Sequence, residues 1–115
     1  MAIKSRTMIV LSCLFIATSP TIASAQSGIA SIYSGEKTAN GEWAYAHRLT
    51  AAHRSLPFGT MVKVTHKKTG KSVVVRINDR GPFIKGRVID LTPAGARALG
   101  FSGLAPVELT VVNRT

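Results

Sequence analysis

The chain has 115 residues, enough for one compact domain, and its 15 Lys and Arg against 5 Asp and Glu give a net charge of +10. Hydrophobic residues make up 45% of the chain, which excludes a disordered basic tail, and 10 Gly and 5 Pro without a fixed period exclude a collagen-like sequence. The single cysteine excludes both a disulfide scaffold and a cysteine-based zinc site.

The N-terminus has the three parts of a secretory signal peptide. Lys4 and Arg6 form a short basic region, residues 8–17 are an apolar run, and Ala23-Ser24-Ala25 supplies small residues for cleavage. The apolar run is shorter than the roughly 20 residues that a membrane-spanning helix needs. We therefore predict a signal peptide at residues 1–25, with no stable membrane insertion after it is removed.

The predicted mature domain covers residues 26–115 and is exported, either periplasmic or secreted, in association with the cell wall. A lipid anchor on Cys13 is not favoured, because the apolar run continues beyond that residue. Removing the two basic residues of the leader leaves 13 basic and 5 acidic residues, a net charge of +8. This charge favours an anionic partner outside the cytoplasm, and nucleic acid is not expected for an exported protein.

The mature domain reads mainly as strands, in chain order. Period-two and β-branched runs predict strands at residues 28–33, 60–65, 72–77, 88–91 and 106–112. A long polar loop is predicted at 34–48, and the polar stretch 66–71, with its glycine late in the turn, indicates a hairpin.

Two further signals complete the predicted elements. The segment NDRGP at 78–82 ends the third predicted strand abruptly. Thr92 as N-cap, Pro93 in the first turn and Gly100 at the end predict one short helix at 94–99. A disulfide-free domain of this size must be held by its core alone, which favours a closed barrel.

Four motifs follow one another with compatible spacing: TANGE at 38–42, TAAHRSLPFGT at 50–60, NDRGPF at 78–83 and RVIDLT at 87–92. Together they resemble the rare lipoprotein A (RlpA) family of bacterial septal-ring lytic transglycosylases, over nearly the whole mature domain. The resemblance implies a mainly β fold, a six-stranded double-psi β-barrel with one short helix, of the type also found in expansins and barwin-like proteins. Periodicity alone does not choose this topology over another barrel.

The resemblance also implies an activity, the cleavage of peptidoglycan glycan strands between N-acetylmuramic acid and N-acetylglucosamine with 1,6-anhydro-muramyl ends. Such an enzyme acts as a monomer on glycan strands without a cofactor, and the 3 His and 5 acidic residues show no metal-ligand spacing. One alternative is a non-catalytic, expansin-like module that binds and loosens wall polysaccharide. Another is a hydrolase of the same fold, for which Asp90 or Glu42 supplies the second carboxylate.

Two departures from the family pattern bear on these expectations. The loop from Tyr33 to Thr38 is shorter than in many members, so one wall of the groove is expected to be trimmed. The chain ends at Thr115 without the C-terminal glycan-binding repeat domain of many relatives, so septal targeting through such a module is not expected.

Asp79 matches the position of the catalytic acid in the family motif. An acid in that role must be protonated at working pH, which requires burial, and Arg80 opposes it if its guanidinium turns toward the carboxylate. The alternative is that Asp79 braces a tight turn, as Asp does in most loops.

His53 and Glu42 match the second and third catalytic positions of the family. His53 could orient Asp79, relay a proton or hold the sugar, whereas a lone histidine is more often a partly buried polar group with satisfied hydrogen bonds. Glu42 lies at the end of a glycine-containing loop that could reach a groove, and its alternative is a solvated loop carboxylate.

The remaining candidates are one acid and a set of substrate-binding side chains. Asp90 ends an apolar strand, where it is expected to accept hydrogen bonds from Arg87 or the backbone, and it is the runner-up acid. The side chains predicted to bind substrate are Trp43, Tyr33, Arg80 and Phe83. Trp43 is the best sugar-stacking candidate of these, with packing in the core as its alternative.

Overall fold

Residues 25–113 are the part of the chain that the computed structural model describes, and the predicted signal peptide and Cys13 fall outside it. The elements in chain order are β1 (Ala25–Ile32), β2 (Thr50–Ala52), β3 (Met61–His66), β4 (Ser72–Asp79), β5 (Arg87–Leu91), α1 (Pro93–Leu99) and β6 (Ala105–Asn113). Within the described residues, no helix is long and apolar enough to cross a membrane.

The strands close into a barrel in the order β1-β5-β2-β4-β3-β6. Two pairs are parallel, β1 with β5 and β2 with β4, and the other four are antiparallel. Closure pairs both edges of every strand, so no exposed edge is left to template aggregation. The prediction of a mainly β, six-stranded barrel with one short helix is confirmed.

The structure differs from the predicted elements at two places, and both involve the site. The three-residue strand β2 was not predicted, because its pairing with β4 and β5 is a tertiary contact with no periodic signal of its own. The strand β4 continues two residues beyond its predicted end, so Asp79 is the last residue of a strand and pairs with Ala52.

Alternation along the strands fills the barrel with aliphatic side chains. In β3, Val62 and Val64 are fully buried while Lys63 between them is exposed. Full burial of a Val, Leu or Ile side chain contributes about 1.5–3 kcal/mol each. The core also contains Ala30, Ala51, Val75, Ile77, Ile89, Leu91, Leu99, Ala105, Val107 and Leu109.

The short helix forms as its caps predict. The Thr92 hydroxyl accepts a hydrogen bond from the Gly95 N–H at 3.3 Å, and Gly100, at φ 80°, closes the helix by donating to the Ala96 carbonyl. The same Thr92 hydroxyl donates to the Arg48 carbonyl. This cap therefore also fixes the end of the long loop that precedes β2.

Candidate functional site

The long loop between β1 and β2 docks onto the end of β4. The Ala39 N–H donates to Asp79 Oδ1 at 2.8 Å, and the Asn40 N–H donates to the Asn78 carbonyl at 3.2 Å. The loop segment 38–42 thus lies directly against the two polar residues that end the strand.

Hydrogen bonds within segment 38–42 give it a defined shape. The Asn40 side-chain oxygen accepts from the Thr38 hydroxyl at 2.7 Å and from the Glu42 N–H at 3.0 Å. Gly41 has φ 95°, a left-handed conformation that a residue with a Cβ adopts at a steric cost. The TANGE motif therefore encodes a tight turn that orients Glu42.

Asp79 uses one carboxylate oxygen to brace the backbone. Its side chain is only 9% exposed, and Oδ1 accepts from the N–H groups of Ala39 and Arg80, each at 2.8 Å. Within residues 25–113 these donors both reach Oδ1, so Oδ2 is the oxygen available to a substrate. The bracing that the sequence suggested as an alternative role is present, and it occupies half of the carboxylate.

The Arg80 guanidinium is held away from the Asp79 carboxylate. Nη1 donates to the Leu56 carbonyl at 2.8 Å and to the His53 carbonyl at 3.3 Å. The guanidinium carbon also lies 4.1 Å from the centroid of the Phe58 ring, in a cation–π arrangement. The contact that would have opposed an acid role for Asp79 is therefore not made.

Glu42 is an ionised carboxylate with two partners on β4. Its Oε1 accepts from the Asn78 amide at 3.0 Å and from the Arg76 guanidinium at 3.0 Å. The hydrogen bond from Asn78, and then that from Arg76, lowers the pKa of Glu42 below its ordinary value. Glu42 thus contacts fixed partners, unlike a solvated loop carboxylate.

Asn78 joins Glu42 to Tyr33 and was not singled out from the sequence. Its side chain is fully buried, and while its amide nitrogen donates to Glu42, its oxygen accepts from the Tyr33 hydroxyl at 3.5 Å. Burial, and then the negative charge of Asp79, raises the pKa of Tyr33, which keeps the phenol neutral. Period-two alternation places Arg76 and Asn78 on one face of β4, and this signal could have found both residues.

His53 lies beside Asp79 through its backbone, while its ring points into a neighbouring cavity. The His53 N–H donates to the Asp79 carbonyl at 3.1 Å. The ring is buried, with Nδ1 accepting from the N–H groups of Ser55 and Leu56 at 3.1 and 3.2 Å and Nε2 2.9 Å from Gln26 Oε1. This cavity, about 210 Å³, also contacts Leu109 and Val111 of β6.

The hydrogen bonds of the His53 ring require its neutral form. Nδ1 accepts two N–H donors and must be unprotonated, so the proton is on Nε2. Burial, and then the positive charges of Arg80 and Arg54, lowers the pKa of His53. The ring makes no hydrogen bond to the Asp79 carboxylate within the described residues.

Asp90 has a partner that the sequence did not indicate. Its carboxylate accepts from the Ser31 hydroxyl of the neighbouring strand β1, where Ser31 and Asp90 are paired in register. The expected donors were Arg87 or the backbone. Asp90 is therefore bound within the sheet, separate from segment 38–42.

Trp43 and Phe83 are surface side chains, 48% and 75% exposed, so Trp43 does not pack in the core. Trp43 contributes to a pocket of about 390 Å³, here called the Glu42 pocket. Its lining includes Glu42, Trp43, Tyr45, Arg48, Arg76 and Asn78. Phe83 projects from the segment that follows Asp79. No group of three His, Cys, Asp or Glu side chains that could hold a metal ion occurs in residues 25–113.

Comparison with known proteins identifies what this chain is similar to. A family profile described as "Lytic transglycolase" matches residues 25–109. The chain is 57% identical over 95 residues to "Probable endolytic peptidoglycan transglycosylase RlpA" of Nostoc sp., covering 76% of this chain and 26% of that protein. It is 47% identical over 92 residues to "Endolytic peptidoglycan transglycosylase RlpA" of Campylobacter jejuni, covering 75% and 34%. The chain thus spans about a quarter to a third of the length of these curated relatives.

Solved structures share the barrel. The apo expansin of Clavibacter michiganensis superimposes with a TM-score of 0.62 at 28% identity, over 80% of this chain and 52% of that one. The Streptomyces papain inhibitor, at 20% identity, superimposes with a TM-score of 0.65 over 81% and 98%, a likeness of fold alone. These neighbours confirm the predicted double-psi β-barrel, and the family match confirms the resemblance drawn from the four motifs.

Proposed function

We propose, because the chain belongs to the lytic transglycolase family, that it cleaves peptidoglycan glycan strands between N-acetylmuramic acid and N-acetylglucosamine. The curated relatives are named endolytic peptidoglycan transglycosylases, and this supports the substrate class. One observation carries the proposal: Asp79 is a buried carboxylate with Oδ1 fixed by two main-chain N–H groups and Oδ2 left for the substrate. The substrate lies outside the cytoplasm, which agrees with the predicted export.

The proposed reaction uses Asp79 twice and consumes no water. Protonated Oδ2 donates its proton to the glycosidic oxygen as the bond from that oxygen to the muramyl C1 breaks. The muramyl C6 hydroxyl then attacks C1, and Asp79 takes the proton that this hydroxyl loses. A 1,6-anhydro ring forms, and Asp79 returns to its protonated state. One carboxyl group suffices, in contrast to hydrolysis, for which two carboxyl groups are usual.

Glu42 is proposed as the fixed negative charge of the site. The transition state of glycoside cleavage resembles an oxocarbenium ion, and an ionised carboxylate stabilises such positive charge or accepts from sugar hydroxyls. Its bonds to Asn78 and Arg76 hold it in place before substrate arrives. The neutral Tyr33 phenol, hydrogen bonded to the same Asn78, is available as a donor or a stacking face.

His53 is proposed as a positioning residue for Asp79. Its ring holds the N–H groups of Ser55 and Leu56, and the carbonyls of His53 and Leu56 in turn hold Arg80. The backbone of Arg80 donates to Asp79 Oδ1. This chain of contacts leads from the imidazole to the carboxylate without a direct bond between them.

Incubation of the purified domain with isolated peptidoglycan sacculi tests the proposal. Mass spectrometry of the released muropeptides should show 1,6-anhydro ends, which are lighter than hydrolysed ends by one water. Reducing ends would instead identify a hydrolase. Retention on the sacculi without soluble products would identify a wall-binding module of the expansin type, and either result would overturn the proposed activity.

A further inference from the structure

The Glu42 pocket carries an unbalanced positive charge. Within the part of the chain that the structure describes, the one ion pair joins Glu42 to Arg76, with 3.0 Å between Oε1 and Nη2. This pair is neutral as a whole. Arg48 lines the same pocket, and no carboxylate of the described residues pairs with its guanidinium. The pocket wall therefore presents one net positive charge to whatever enters it.

Arg48 is held in place although its side chain is exposed. Its N–H donates to the Tyr45 carbonyl at 3.2 Å, and its carbonyl accepts from the Thr92 hydroxyl that caps α1. Its guanidinium carbon lies 5.5 Å from the centroid of the Tyr45 ring. The stacked guanidinium has a restricted orientation while its N–H groups stay free, so less order is lost when an anion binds.

Aromatic surface adjoins this charge. The rings of Trp43 and Tyr45 are about half exposed and line the same pocket as Arg48. Exposed aromatic faces pack against the apolar face of a ligand, while a guanidinium binds carboxylates through paired N–H donors. The pocket is thus suited to a ligand that has both a ring to cover and a carboxylate to bind.

We propose that the Glu42 pocket is a subsite for a carboxylate carried by the glycan strand, with Arg48 as its binding residue. The inference rests on the proposed function for the nature of the strand. Muramic acid differs from glucosamine by a 3-O-lactyl group, which ends in a free carboxylate on bare strands or in an amide to a stem peptide that has carboxylates of its own. A subsite of this kind distinguishes a muramyl residue from a glucosaminyl one.

Binding of defined oligosaccharides tests the subsite separately from catalysis. All proteins carry Asp79→Asn so that no ligand is consumed, and calorimetry compares Arg48→Gln with the unsubstituted residue. The control Lys68→Gln removes the same charge from the turn between β3 and β4, roughly 20 Å along β4 from the pocket at a strand rise of about 3.3 Å per residue. The ligands are a muramyl-glucosaminyl tetrasaccharide with free lactyl carboxylates, its lactyl carboxamide, and its stem-peptide form.

The expected result is a weakening of the free-carboxylate ligand by on the order of tenfold in Arg48→Gln, the usual size of a charge-assisted hydrogen bond. The carboxamide should bind the parent protein with the same loss and should not respond to Arg48→Gln. Arg48→Lys, which keeps the charge, should recover part of the affinity. A response of the stem-peptide ligand to Arg48→Gln would assign the carboxylate to the peptide, and its absence would assign it to the lactyl group.

Three results would overturn the subsite. Arg48→Gln could weaken the acid and the carboxamide equally, it could weaken them no more than Lys68→Gln does, or neither ligand could bind the parent protein. Each is independent of the product analysis, because no turnover is measured. Anhydro products without an Arg48 effect would leave the activity in place and remove only the subsite.

Discussion

At Asp79, a single side chain combines two roles that the sequence presented as alternatives. Oδ1 braces the backbone through Ala39 and Arg80, which is the role common for Asp at a chain reversal. Oδ2 is left for chemistry. Because the brace uses only one oxygen, replacing the other oxygen separates the structural role from the proposed catalytic one.

Asp79→Asn is expected to abolish most of the activity and leave the fold intact. The asparagine oxygen still accepts from the two N–H groups, but the side chain no longer cycles a proton. Release of anhydro-muropeptides should fall by about 10²–10⁴-fold, the usual contribution of a positioned acid–base group. The melting temperature should change little.

Asp90→Asn is the matched comparison, because Asp90 is the second buried-strand acid and its carboxylate binds Ser31. Retained activity in Asp90→Asn together with loss in Asp79→Asn supports the assignment. The reverse pattern would make Asp90 the acid. An Asp79→Asn protein that is unfolded, with normal turnover in its folded fraction, would show that Asp79 only braces the chain.

Two segments meet at the end of β4 and form the site between them. The loop segment 38–42 contacts Asn78 and Asp79 from one side. The segment 53–58 approaches from the other, where its carbonyls and the Phe58 ring hold Arg80. The second segment depends on the His53 ring, whose Nδ1 accepts two of its N–H groups.

The segment 53–58 is therefore expected to loosen in acid. The pKa of His53 is lowered from its ordinary value of 6.5, so the folded protein binds fewer protons there than the unfolded chain. Stability from this group is fully present above pH 6.5 and is lost as the pH falls through the lowered pKa of the folded state. Urea unfolding at a series of pH values below neutrality should show the free energy of unfolding decreasing over that window.

His53→Gln should flatten this dependence on pH, because glutamine accepts hydrogen bonds without titrating. His47→Gln, at an exposed position, is the matched control and should leave the dependence as it is. A positioning role further predicts that the pH profile of turnover shifts in His53→Gln while binding of sacculi persists. An unchanged pH profile of turnover in His53→Gln would mean that the ring serves stability alone.

At the scale of the whole molecule, charge governs the approach to the cell wall. The predicted mature domain has a net charge of +8, and peptidoglycan carries carboxylates on its stem peptides. Attraction between exposed charges is screened beyond about 8 Å at 0.15 M salt. Affinity for this polymer should therefore respond to the ionic strength.

Binding of the domain to sacculi is expected to weaken progressively as salt is raised, in a sedimentation assay with the Asp79→Asn protein. Chitin, a neutral glucosaminyl polymer, is the matched control and should show little dependence on salt. Retention on sacculi that does not change with salt would instead identify aromatic stacking, with Trp43 as the first side chain to replace, as the main contact.

Local physics explains what was predictable along the chain. Thr92, Pro93 and Gly100 predicted the helix because capping depends only on neighbouring residues, and alternating burial predicted β3 and most of β4. The four motifs predicted the family and, through it, the barrel. Site roles for Asp79, Glu42 and His53 also came from that resemblance, and they stay predictions.

Tertiary structure alone decided the contacts on which the site depends. Composition and pattern determined a basic, mainly β domain held by an aliphatic core, since charge and side-chain period are properties of the chain itself. The strand β2, the turning of Arg80 toward the Leu56 carbonyl and the Asn78 bridge to Glu42 involve residues distant in sequence. Which donor reaches which acceptor depends on how the closed barrel brings loops together, and no local period or propensity encodes that geometry.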